Sequence, residues 1–241
     1  MTRTRLRTAA LVIAAAAALT GLVLIWAARL SATRFLYVSE LGADGEPTAV
    51  VFRWAMTLVA ASAALIAVWA GSIRPGVRWL ASIAPPVVLA IAAVSFGVAS
   101  QVTCTRYCPI PYGPAFTWQD FTHTSFAVVG FAAGCFVMLQ VAVDRTHRAL
   151  ARFSIASAVA VGTIAATGGL LSLARFAVEL GGVLELIATT IALLWLVGLA
   201  VLLARAPGRE GAPAHAGDRD VVPQARVGSV TRRDIPPAVF D

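Results

Sequence analysis

The chain has 241 residues, 59% of them hydrophobic and 13% charged, with a net charge of +7 and a mean hydropathy of +0.82. A soluble domain carries about 25% charged residues, so this composition excludes an ordinary water-soluble globule and points to an integral membrane protein. All nineteen basic residues are arginine and are dispersed between apolar segments, which argues against nucleic acid as a partner.

A helix needs about 20 apolar residues to cross the hydrocarbon core. Six segments qualify, at about 9–28, 54–73, 79–100, 121–143, 153–174 and 182–204. The expected fold is therefore an all-α integral membrane protein with a six-helix transmembrane bundle over residues 9–204. Residues 1–8 precede it as a basic N-terminal tail. The first segment begins like a secretory signal, but its apolar run reaches Ala28 without a small-residue cleavage site. It reads as a retained span.

Residues 31–52 form the first connector, where "LGADGEP" carries the Gly, Asp and Pro of a tight turn. The flanking "FLYV" and "TAVVF" are expected to pair as a small hairpin. Pro85 and Pro86 fall inside the third segment, where the missing N–H groups predict a kink. The second long connector holds "CTRYCPIPYGP", with Cys104, Cys108 and three prolines that keep it extended. It leads into "TWQD", a helix start in which Thr117 caps and Asp120 complements the dipole. Gly130 and Gly134 give a GxxxG spacing on the fourth segment, a helix-packing signal. Cys135 reads as a small buried hydrophobe. The region 205–241 is rich in Gly, Pro, Arg and Asp, lacks helical periodicity and reads as a disordered tail.

Orientation follows from arginine counting. With the N-terminus inside, fourteen arginines face the cytoplasm and five (Arg29, Arg34, Arg53, Arg106 and Arg175) face outward. Both termini are thus expected in the cytoplasm of a bacterial inner-membrane protein. Cys104 and Cys108 then face an oxidising compartment, where a structural disulfide stapling the outer loop is the expectation. Free thiols, a redox pair or a metal site are the alternatives. The CxxC spacing of redox sites is absent, and His123 is the only histidine nearby. No metal or cofactor is expected.

Asp120 and His123 are three residues apart and share a helix face. Glu185, near the outer end of the last segment, lies at similar depth, with Glu40, Arg175 and Glu179 close to that level. Ionisable groups inside spans are costly and often mark function, so these six residues form a candidate outer polar cluster. Pairing among themselves or with lipid headgroups is the plainer account of the same residues.

Four stretches carry a resemblance. "SELG" (39–42), "CTRYCPIP" (104–111), "DFTH" (120–123) and "GGVLELIATTIALLWLV" (181–197) resemble, in that order, the bacterial and archaeal membrane family called domain of unknown function 998. The resemblance covers about residues 10–204. It implies a multi-spanning helical protein with an outward polar cluster and supplies no activity. Leu186 follows Glu185 where members of that family often have Arg, which removes an ion pair built on that Arg.

Three functions compete. The first is a non-enzymatic protein binding membrane lipids or an envelope partner, since nucleotide loops, complete metal sets and nucleophile triads are absent from the sequence. The second is an intramembrane lipid hydrolase or transferase with His123 as general base and Asp120 or Glu185 orienting it. The third is a small-molecule or proton-coupled transporter, with Pro85–Pro86 as hinge and Glu185 as protonatable site.

Overall fold

The computed structural model describes residues 2–109, 113–145, 148–174 and 176–206. Six helices account for most of it: α1 (Arg3–Ser31), α2 (Ala49–Trp69), α3 (Pro85–Gln101), α4 (Trp118–Ala142), α5 (Arg148–Leu173) and α6 (Val178–Arg205). Five are long and apolar enough to cross a membrane, and α3 is a shorter apolar helix. The expected disordered tail lies outside the described residues beyond Ala206, as does Arg175.

Each helix packs against its neighbour in sequence, and α6 returns to pack on α1. The result is a closed ring of six alternating helices. Lipid tails are as apolar as leucine, so close packing of small residues has to bring such helices together. Along α1 the buried residues are Ala14, Ala15, Ala18, Gly21 and Ala28, interspersed with Leu and Ile. A Cβ on Gly21 would stand 2.9 Å from the Ala55 carbonyl oxygen, so glycine permits this α1–α2 approach. Gly168 plays the same part between α5 and α6, where its Cβ would lie 3.1 Å from the Gly181 oxygen.

Polar groups bind the ring at both ends. At the end holding the α1 N-terminus, the Arg7 guanidinium donates to the carbonyls of Leu203 (2.8 Å) and Ala206 (3.2 Å). It satisfies acceptors that the end of α6 leaves without helical partners. Gln140, fully buried on α4, donates to the carbonyls of Leu80 and Ile83, each at 2.7 Å. Leu80–Ser82 is a 3-10 turn followed by an extended Ile83, and non-helical backbone at membrane depth needs such a protein partner. Deeper in, the buried Trp195 indole donates to Ser154 at 2.9 Å.

The structure corrects several expectations. The hairpin is absent: Ser39–Gly42 is a 3-10 turn, and most of "TAVVF" is the first turn of α2. With no sheet nearby to extend, those β-branched residues gain more from the continuous backbone bonding of a span. Pro85 and Pro86 do not kink a helix; they occupy the first two positions of α3. There the missing N–H costs nothing, and the fixed φ suits helix entry. The residue before them, Ala84, is extended (φ −64°, ψ 137°), as steric contact with proline requires. The N-terminal tail is mostly helix, since α1 starts at Arg3.

Candidate functional site

The connectors at the other end of the ring form a cap. Asp44, in the first connector, receives the Thr103 hydroxyl at 2.7 Å and the Gln119 amide at 2.9 Å, while its own N–H donates to the Cys104 carbonyl at 2.9 Å. The hydrogen bond from Thr103, and then that from Gln119, hold the Asp44 carboxyl below its usual range. Arg34 pairs with Glu46 at 2.6 Å and reaches Glu40 at 3.9 Å.

Cys104 and Cys108 lie at disulfide distance, their Cα atoms 5.1 Å apart. The chain turns between them with Tyr107 and Cys108 in the left-handed region, at φ 68° and 42°. That conformation costs non-glycine residues about 1–2 kcal/mol each. A Cys108 N–H bond to the Thr105 carbonyl (2.9 Å) holds the turn in place.

Thr117 caps α4 by accepting from the Asp120 N–H at 3.0 Å. The Asp120 carboxylate does more than complement a helix dipole. It is fully buried and accepts from the Thr105 N–H (2.7 Å), the Thr105 hydroxyl (2.9 Å) and the Thr117 hydroxyl (2.5 Å). Its lone pairs are committed to joining the cysteine loop to α4. Asp120 is therefore part of the cap.

His123, one turn deeper, is 6% exposed. Its Nδ1 lies 2.8 Å from the Val102 carbonyl oxygen and 3.1 Å from that of Ala99. Carbonyl oxygens only accept, so this geometry assigns the proton to Nδ1. The other ring nitrogen, Nε2, is buried without a partner.

His123 lines a cavity of about 110 Å³ at the centre of the ring. Its wall is almost wholly apolar, drawn from α2 to α6, and includes Phe96, Met138, Trp195 and Leu196. Ser39, Glu185 and Thr189 join His123 as its polar side chains. The Val38 N–H donates to Glu185 at 3.1 Å, Ser39 lies against the same carboxylate, and the Thr189 hydroxyl is buried without a partner. Cys135 also lines the cavity.

Of the six expected cluster residues, the cavity thus gathers His123 and Glu185. Glu40 accepts from the Tyr37 N–H at 2.9 Å. Glu179 is exposed in the first turn of α6. The glycine pair also divides. A Cβ on Gly130 would press on the Phe96 ring at 3.0 Å, so Gly130 is a packing glycine. Gly134 lines the cavity, and a Cβ there would meet nothing within 4 Å. The expectation that it packs against a helix is corrected.

Ser39 and Thr189 were not singled out by the sequence reading. Thr189 stands one helical turn from Glu185, a spacing that signals a shared face. The fold also brings His123 to the cysteines: one ring nitrogen and both sulfurs lie within 4.8 Å of one another. The sulfurs are at disulfide distance, and a metal would take the same two sulfurs only as thiolates.

A comparison with protein-family models, curated proteins and solved structures found no match for this chain.

Proposed function

We propose that this chain is a multi-pass protein of the bacterial cytoplasmic membrane, with both termini in the cytoplasm, that binds a membrane lipid without transforming it. The lipid occupies the central cavity, and the polar end of that cavity faces the outer leaflet beneath the cap. The orientation rests on the arginine bias. The binding reading rests on one observation: a central cavity with an almost wholly apolar wall carries a few convergent polar side chains, including buried Nε2 and hydroxyl atoms without partners. Mostly apolar pockets with a few placed polar groups are the usual form of a ligand site, and buried polar atoms are normally satisfied.

Native mass spectrometry of the protein released from nanodiscs formed directly from its native membrane tests the proposal. Wild type is expected to retain one lipid per chain, and Gly134→Leu, which fills the cavity, to retain none. A wild-type protein emerging lipid-free would refute it.

One observation favours a second reading, an intramembrane lipid hydrolase. His123, which lines the cavity together with Ser39, has its Nδ1 fixed by backbone carbonyls and its Nε2 without a partner, which is how a general base is held. Ester cleavage by the purified protein, abolished by His123→Gln, would select that reading over the first.

A further inference from the structure

The unpartnered polar groups specify more than the presence of a lipid. We infer that the cavity selects a single-chain amphiphile whose head group donates hydrogen bonds, a long-chain ammonium or alcohol, and rejects acceptor-only anionic heads. The inference rests on the lipid-binding reading above and narrows it.

The shape argues for one chain. His123 and Met138 both line the cavity and lie on α4, about 22 Å apart at helical rise. Glu185 and Leu196 do the same on α6, about 16 Å apart. One leaflet of hydrocarbon is roughly 15 Å deep, so the cavity has the length of a single alkyl tail. A volume of about 110 Å³ spread over that length makes it a slender slot.

The polar end argues for a donor. With Nδ1–H spent on the Ala99 and Val102 carbonyls, the neutral imidazole offers only an Nε2 lone pair. Glu185 accepts from the Val38 N–H and from Ser39, and the Thr189 hydroxyl can serve in either sense. No Arg is among the described residues lining the cavity. Glu185 forms no ion pair among the described residues. A phosphate, sulfate or carboxylate head would therefore meet lone pairs without a compensating charge, and an uncompensated buried charge is strongly disfavoured. An ammonium or hydroxyl head satisfies Nε2, and the ammonium adds a positive charge beside Glu185, which has none paired with it among the described residues.

The test is photolabelling of the full chain in nanodiscs by a hexadecylamine bearing a mid-chain diazirine, with labelled residues mapped by mass spectrometry. Label is expected on Phe96, Met138 or Trp195. Unlabelled hexadecylamine and hexadecanol should displace it, and hexadecyl sulfate at the same surface fraction should not. Glu185→Gln should weaken displacement by the amine about tenfold or more, the worth of a charge-assisted hydrogen bond, and leave the alcohol within about threefold. If hexadecyl sulfate competes as well as the amine, the head-group inference is overturned while lipid binding stands. If the cavity residues take no label from the probe and wild type also retains no lipid, both readings fall together.

Discussion

The imidazole of His123 hangs from the Val102 carbonyl oxygen, 2.8 Å from its Nδ1, and this single bond couples the cysteine loop to the cavity. Val102 is the C-cap of α3, and the next three residues carry the Asp44, Cys104 and Asp120 contacts of the cap. The histidine is thus oriented from above, with its other nitrogen left without a partner. His123→Phe should lower stability by about 1–3 kcal/mol, because two buried carbonyls lose their donor. His123→Asn, which retains an N–H at a similar position, should recover part of that loss. Thermal unfolding in detergent, followed by circular dichroism, reads both.

Asp120 should prove structural. Asp120→Ala removes the acceptor for three donors, one of them a backbone N–H, and a loss of about 2–4 kcal/mol is expected. Asp120→Asn should lose less, since one carbonyl oxygen remains. Lipid retention per folded molecule should be unchanged in Asp120→Asn, as its carboxylate lies in the cap and not in the cavity wall.

The two glycines of α4 should respond in opposite directions. Gly134→Leu enters open space and replaces glycine inside a helix, so stability should hold or rise by up to about 1 kcal/mol. Gly130→Leu drives a side chain into the Phe96 ring, and overpacking of this kind costs about 1–3 kcal/mol. Calorimetric melting of the two variants side by side checks the contrast. A GxxxG packing role would destabilise both.

Asp44 should make the cap sensitive to acid. Its carboxyl is held below the ordinary 3.8, first by Thr103 and then by Gln119. The stabilisation is therefore complete above about pH 4 and is lost as pH falls through the lower folded-state value. Protection of the residue-44 amide, whose N–H donates to the Cys104 carbonyl, corrected for intrinsic exchange, should persist at about pH 5 and decline below about pH 4. Asp44→Asn should abolish that decline.

Sidedness is testable with single cysteines. In a background lacking the native three, Arg106→Cys should react with an impermeant maleimide added to intact cells, and Arg145→Cys only after permeabilisation. The reverse pattern would invert the topology and move the polar end of the cavity to the inner leaflet.

The positions of all six helices were legible in the sequence, because a span has to be apolar over a length set by the bilayer. The observed helices run a few residues beyond most of the apolar windows, since flanking polar residues such as Arg3 and Arg205 can join a helix end without entering hydrocarbon. Thr117 was legible as a cap because N-capping is a local pattern. The prolines misled because proline at a first helical position and proline in an interior look alike until the helix start is known. The roles of Asp120, Gly134 and Ser39 were illegible for a common reason: each is defined by a partner or a space contributed by distant segments. Read from sequence, Asp120 has both a helix-start reading with Thr117 and a pocket reading, and neither foretells the bonds to Thr105, fifteen positions earlier. The pairing of His123 with Glu185 was anticipated from depth alone, and the fold places both on one cavity wall.

The central claim is that the ring encloses a lipid. A density map of the protein in nanodiscs formed directly from its native membrane tests it most directly. The account predicts a continuous, slender density running from between His123 and Glu185 to Met138, at full occupancy in wild type and absent in Gly134→Leu. A cavity that is empty, collapsed or filled by rotated side chains in wild type would contradict it.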